Sequence, residues 1–384
     1  MRSNTLFLTL KVFSATGGIE KVCRIAGKAL NEINLQAGGR TKIYCMHGRQ
    51  QDAAGNLYFP QEIFTGFGAN KINFVYQAVK EAKKTRLVII SHINLLLVGW
   101  LIKKLYPNVK LIMLAHGIEV WEPLGGFKKK MLALCDQILP VSEFTKNKMI
   151  SLYALAPEKF TVLNNCLDPH LPIVINTGKS PALLSRYGLN ADNKILLTLT
   201  RLATGERYKG YDHVLEALEV LVAEQPNLRY MIAGKYDAAE KKRLDTLIAK
   251  KNLQAIVVFA GFVPEEELAP HFRLADCYVM PSTKEGFGIV FIEAMYYGIP
   301  VIAGNKDGSV DALANGAFGL LIDPDDRTAL TVAIKSILQN PQQFVPDRQQ
   351  LEARFGYRVY KENVKKIMAD VESGSCSTAK AKVK

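Results

Sequence analysis

Residues 277–304 read CYVMPSTKEGFGIVFIEAMYYGIPVIAG, and the fold is decided by how this stretch is read. Cys277 to Met280 is a short apolar run that breaks at Pro281, as a buried strand does at its end. The loop Ser282-Thr283-Lys284-Glu285-Gly286-Phe287-Gly288 leads into an apolar segment that predicts a helix from near Phe287 to near Gly298. Pro300 to Ala303 reads as a second buried strand. Strand, glycine loop, helix and strand make a βαβ unit of the phosphate-binding kind. Its glycines let backbone N–H groups approach an anion, and the helix N-terminus adds partial positive charge.

Two acids distinguish this loop from a generic one. Glu285 lies in the loop, and Glu293 lies inside the helix among Ile292, Ala294 and Met295. With a helix starting near Phe287, Glu293 falls about 9 Å along its axis. Carboxylates at that separation, flanking a phosphate cradle, suit hydroxyls at opposite ends of a sugar nucleotide. The competing readings are an acid that complements the helix dipole at 285 and a satisfied core acid at 293. A buried carboxylate among apolar residues needs a partner, which weakens the second.

Glu285 and Glu293 with seven residues between them, Gly286-Phe287-Gly288, and the closing Gly298-Ile299-Pro300-Val301-Ile302 resemble the signature of the retaining glycosyltransferases of family 4. The resemblance is strongest over residues 194–325. It implies an α/β chain of the GT-B fold, two Rossmann-like domains facing each other across a cleft. The implied division is an acceptor-side domain at 1–170 and a nucleotide-sugar-binding domain at 171–350. A C-terminal helix at 351–372 would cross back to the first domain, and composition makes 373–384 a basic, disordered tail.

A chain of 384 residues with 48% hydrophobic content has room for two or three domains with sizeable cores. The six cysteines, at 23, 45, 135, 166, 277 and 376, show neither a C-x-x-C pair nor metal-ligand spacing, and read as core residues of a reducing compartment. Lys11 interrupts the first apolar run, which favours a first strand over a signal peptide. The apolar stretch Ile89 to Ile102 contains His92 and Asn94 and is too short to span a bilayer. A cytoplasmic protein is expected.

The net charge of +13 sits mostly in the first part, where residues 1–172 hold 22 basic and 11 acidic side chains. Basic clusters occur at Lys80-Lys83-Lys84-Arg86, Lys103-Lys104 and Lys128-Lys129-Lys130. They read either as solvated helix faces or as attraction to an anionic membrane, giving peripheral association on its inner face. No nucleic-acid module is present and no aromatic residues interleave these clusters, so nucleic acid is not the expected partner.

Leu6 to Phe13 predicts the first strand, followed by Gly17-Gly18 and a helix with apolar residues at Ile19, Val22, Cys23, Ala26, Leu30 and Ile33. Gly17 and Gly18 suit either close approach of a ligand or a tight turn, and the match to the family's N-terminal glycine loop favours the ligand. Further strands are predicted at 41–45, 87–91, 110–115, 137–141 and 160–163. His116 falls at the C-terminal end of one of them, where ligands of open parallel sheets bind. His116-Gly117 resembles the family's histidine near the transferred sugar. Glu119 and Trp121 either line the same place or pack beneath it. Pro169, Pro172, Gly178 and Pro181 punctuate an interdomain linker.

In the second half, the strand at 195–199 runs into Thr200-Arg201-Leu202-Ala203-Thr204-Gly205-Glu206-Arg207-Tyr208-Lys209-Gly210, after which Asp212 is a candidate helix cap. An Arg and a Lys at a strand-to-helix loop neutralise a diphosphate, Arg as a planar fork and Lys as a point charge. The family uses such a pair. Here Arg201 and Lys209 fit it, with Arg207 a rival to Lys209. The resemblance also places a nucleobase contact at the Val263 main chain. The resemblance implies that the segment Asp307-Gly308-Ser309-Val310-Asp311 is flexible and acidic at a cleft-facing position, while Asp311 itself reads as a capping or solvated acid.

The resemblance implies transfer of a hexose, with retention, from a nucleotide-diphosphate sugar to a glycan or lipid-linked glycan. Glu293 would hold the ribose, Glu285 the donor sugar, and Arg201, Lys209 and the amides from Gly286 through Phe287 and Gly288 to Ile289 the diphosphate. His116 would contact the sugar. No metal and no other cofactor are expected. The alternatives are an epimerase of the same architecture, for which acid–base groups are missing, and a non-catalytic sugar-nucleotide or lipid-binding protein.

Overall fold

A computed structural model describes residues 4–14, 17–173 and 178–374. Over these residues the chain divides into two compact units. One runs to His170 and resumes at Gly356, and the other is Leu171–Phe355. Ala15 and Thr16 of the first glycine turn, residues 174–177 of the predicted linker and residues 375–384 of the predicted tail lie outside the described residues.

The first unit is built on six parallel strands, β1 (Asn4–Thr9), β2 (Arg40–Cys45), β3 (Phe64–Gly66), β4 (Leu87–Ile90), β5 (Lys110–Ala115) and β6 (Gln137–Pro140). Their order in the sheet is β3-β2-β1-β4-β5-β6. The central strands are buried along nearly their whole length, as continuous Val, Ile and Leu runs in a doubly covered parallel sheet require. One apolar cluster lies beneath the helices Lys71–Ala82, Leu96–Leu105 and Gly126–Ala133. The other holds the helix Gly18–Gln36 together with the last helix, Tyr357–Ser373.

The second unit repeats the plan with β7 (Lys194–Leu199), β8 (Leu228–Ala233), β9 (Val257–Gly261), β10 (Cys277–Met280), β11 (Val301–Gly304) and β12 (Leu320–Ile322). All pairs are parallel, in the order β12-β11-β10-β7-β8-β9. Counted from the first strand of each unit, both sheets have the order 3-2-1-4-5-6 of a Rossmann unit. The order reverses between β1 and β4 in one and between β7 and β10 in the other.

Four expectations are corrected. Phe160–Leu163 is not a strand. Thr161 and Leu163 donate to Ile138 and Pro140 carbonyls at 3.1 and 2.9 Å, but Pro140 has no N–H to continue the ladder. The three-residue β3 is present where no strand was predicted. The long C-terminal helix is two, Arg348–Phe355 and Tyr357–Ser373, broken at Gly356, whose backbone is extended. Asp212 does not cap its helix. That helix starts at Tyr211 without a side-chain cap, and Asp212 accepts from Arg243 Nη2 at 2.8 Å.

Candidate active site

The switch between β7 and β10 brings two loops together. The first leaves β7, passes Arg201 and forms a 3₁₀ turn from Thr204 to Lys209. The second leaves β10 as Pro281–Gly288 and enters the helix Ile289–Tyr296. Thr283 N donates to the Tyr208 carbonyl at 2.9 Å, tying one to the other. Gly210, at φ +79°, permits this approach. A Cβ there would lie 2.3 Å from the Pro281 carbonyl oxygen, so a side chain is excluded by contact and by backbone conformation.

The result is a contact between the two residue types the sequence singled out. Lys209 Nζ is hydrogen-bonded and ion-paired to Glu285 Oε2, with both side chains mostly buried. Burial alone would depress the lysine pKa, but the adjacent Glu285 carboxylate, by charge and by hydrogen bond, raises it above the usual lysine value. Arg207 points elsewhere. Its Nε lies 3.2 Å from Oε2 of the fully buried Glu240, which also accepts from Tyr211 and Arg243. Of the two rivals, Lys209 is therefore the one at the glycine loop. Arg201 is largely exposed and pairs with Glu206.

The loop is clamped from behind by a residue that sequence reasoning passed over. Asp307 follows β11 and is buried. Its Oδ2 accepts from Ser282 Oγ and from the Glu285 N–H, each at 2.7 Å, and its Oδ1 accepts from Ser309 N at 2.9 Å. Gly308 N returns a bond to the Glu285 carbonyl at 2.8 Å. Burial raises the Asp307 carboxyl to about 6. The segment read as flexible is thus an anchor, recognisable only once β11 is placed beside β10. With the main chain of Glu285 held on both sides, the N–H groups of Gly286, Phe287, Gly288 and Ile289 meet no acceptor among the described residues. They form a row of open donors at a helix N-terminus.

The helix begins at Ile289 rather than near Phe287, because Gly288 sits at φ +84°. Glu293 is then about 6 Å along the axis from the helix start, and it is buried. Phe287 is buried edge-on against Phe355, ring centroids 5.7 Å apart, so it anchors the loop through its side chain. Val263 lies just beyond β9 on the same strand-end edge of the sheet, also buried.

In the first unit, Gly17 and Gly18 stand where β1 passes into the helix Gly18–Gln36, and His116 stands at the end of β5. These positions share the carboxyl edge of that sheet. His116 Nε2 lies 2.7 Å from the Ser91 carbonyl, which fixes it as the protonated nitrogen, and Nδ1 is buried without a hydrogen-bond partner. Its backbone N–H donates to Glu119 Oε1 at 2.5 Å, which gives Glu119 a supporting role. Trp121 is buried, donating to Thr145 at 3.3 Å, and so packs beneath the edge.

A family description, glycosyl transferases group 1, matches residues 181–362, and a second, glycosyltransferase family 4, matches residues 16–171. The chain belongs to the family 4 glycosyltransferases. As a glycosyltransferase it is 27% identical over 313 residues to D-inositol 3-phosphate glycosyltransferase of Thermobispora bispora, covering 73% of this chain and 71% of that one. It is 28% identical to the GDP-mannose-dependent alpha-(1-6)-phosphatidylinositol monomannoside mannosyltransferase of Mycolicibacterium smegmatis over 60% of this chain and 62% of that one. The chain thus spans less than two thirds of the second relative. The structure of Anabaena HepE in complex with UDP superposes with a TM-score of 0.76 at 19% identity, covering 96% of this chain and all of that one, and shows the GT-B fold. Among the described residues no three His, Cys, Asp or Glu side chains are grouped to hold a metal ion, and no helix is long and apolar enough to cross a membrane.

Proposed function

We propose that this glycosyltransferase moves a hexose, with retention of anomeric configuration, from a nucleotide-diphosphate sugar to a glycan or lipid-linked glycan acceptor, as in cell-surface polysaccharide assembly. The observation that carries the reading is the Lys209–Glu285 pair beside the open amides of Gly286 to Ile289. A diphosphate needs the ammonium and the amides, and a sugar hydroxyl needs a carboxylate acceptor within reach of both. Catalysis then consists of positioning and of stabilising charge on the departing diphosphate. Arg201 adds a second cation, Glu293 holds the ribose hydroxyls, and Val263 meets the base through its main chain. In the first unit, His116 is assigned to the transferred sugar and Gly17-Gly18 to donor binding. No metal or cofactor is assigned a role.

The donors supported are GDP-mannose, which the mycolicibacterial relative's name specifies, and a UDP-hexose, since HepE is seen with UDP and with UDP-glucose. The test is calorimetric binding of GDP, UDP and ADP, followed by release of nucleotide diphosphate from their hexose conjugates. One nucleotide class binding in the micromolar range, with both signals diminished in Glu293→Gln, is the expected result. Binding with no turnover across a panel of glycan and lipid-linked acceptors would favour the non-catalytic reading. Absence of binding across the panel would overturn the donor site.

A further inference from the structure

The helix Leu96–Leu105, LLVGWLIKKL, is apolar around most of its circumference. Such a helix is ordinarily covered on every side. Here Leu96, Val98 and Ile102 enter the core, but Leu97 is 49% exposed and Trp100 and Leu101 are only partly covered. Its neighbours share the character. Lys71–Ala82 buries Phe74 and Ala78 and turns Ile72 and Tyr76 outward, 84% and 61% exposed. Gly126–Ala133 buries Met131 and Leu132 and leaves Phe127 57% exposed, its ring edge-on to Trp100 at 5.6 Å. The three helices pack side by side, and their buried residues belong to one apolar cluster beneath them. Their outward residues therefore form one surface.

The charge of this surface says what covers it. Lys104, Lys128, Lys129 and Lys130 are exposed, and among the described residues none of them forms an ion pair. The helices at 96–105 and 126–133 contain no acid at all. A second copy packed symmetrically on this face would set lysine against lysine. A nucleic acid would leave Ile72 and Leu97 without apolar cover. A bilayer with anionic headgroups suits both features: aliphatic and aromatic side chains enter the headgroup–acyl boundary while lysine stems reach back to the phosphates.

We propose that the outward face of these three helices docks on an anionic lipid surface. The inference goes beyond sugar transfer and is read without it. The experiment is cosedimentation of the purified protein with phosphatidylcholine vesicles, with and without phosphatidylglycerol, at low and at physiological salt. Binding to the phosphatidylglycerol vesicles only, with a blue shift of tryptophan fluorescence, is expected. Each lysine removed should weaken partition about fivefold, so the triple variant Lys128→Ala, Lys129→Ala, Lys130→Ala should lose on the order of a hundredfold. Leu97→Ser with Phe127→Ser should weaken binding chiefly at physiological salt, where charge attraction is screened. Lys365→Ala with Lys366→Ala, on the last helix, should leave it unchanged. No binding to anionic vesicles, or binding lost in the last-helix variant and kept in the others, would overturn the proposal. So would a dimer that Leu97→Ser converts to monomer in a protein that ignores vesicles.

Discussion

The carboxylate of Asp307 accepts the backbone N–H of Glu285 at 2.7 Å, so a buried acid on one loop sets the main-chain path of another 22 residues earlier. Asp307→Ala removes that acceptor and those for Ser282 and Ser309. Transfer is expected to fall at least tenfold, with the loss in kcat and in donor KM together, because the amides from Gly286 to Ile289 lose their fixed direction. Steady-state kinetics with saturating acceptor checks this.

The same residue makes a pH prediction. Its folded pKa, about 6, lies above the ordinary aspartate value because burial disfavours the charge. The folded state then keeps its proton to higher pH than the unfolded state. Stability is lost as pH rises from about 4 to about 6, on the order of 3 kcal/mol in total. Urea unfolding at a series of pH values should show this slope, and Asp307→Asn should flatten it.

Lys209→Ala should reduce transfer on the order of a hundredfold, the size of effect seen when one donor to a developing negative charge is removed. It should also destabilise the protein by roughly 3 kcal/mol, since Glu285 is left mostly buried without its cation. Lys209→Met combined with Glu285→Gln should recover much of the stability and none of the activity. A double-mutant cycle on unfolding free energy, run beside the kinetic assay, separates the two effects.

Arg207→Ala is expected to leave transfer within about threefold of the parent, because its guanidinium serves Glu240, which keeps Arg243 and Tyr211 as partners. A loss comparable to that of Lys209→Ala would reverse the assignment of the diphosphate cation.

Gly210→Ala should cost roughly 1–3 kcal/mol for the left-handed backbone alone. The clash with the Pro281 carbonyl adds to it and should displace the loop bearing Lys209. Lower thermal stability together with a raised donor KM is the expected pair of readings.

The βαβ stretch at 277–304 was legible because everything that makes it is local: an apolar run, a proline break, three closely spaced glycine and aromatic positions and a second apolar run. Short apolar runs also disclosed every strand of the first sheet but Phe64–Gly66, and three strands of the second. What escaped was set by distant partners. Asp307 looks like any loop acid until β11 lies beside β10. Asp212 looks like a cap until Arg243, 31 residues on, claims it. Arg207 and Lys209 are indistinguishable as letters two residues apart, and only the turn of the 3₁₀ segment sends one to Glu240 and the other to Glu285. The strand at Phe64–Gly66 is three residues long, below what periodicity can register.

The last helix, Tyr357–Ser373, buries Tyr360, Val364, Ile367, Met368 and Val371 in the cluster that also holds Ile25, Leu30, Ile89 and Leu114, and Lys361 reaches Glu32 at 2.9 Å. The first unit is therefore written in two pieces of chain with the whole second unit between them. During synthesis residues up to 170 leave the ribosome long before the helix that finishes their core exists, so the earliest unit to begin is the last to be completed. The second unit is contiguous, so all of its residues are made before that helix is. A fragment ending at His170 exposes the apolar seat of that helix, and the full chain hides it only when its closing residues arrive.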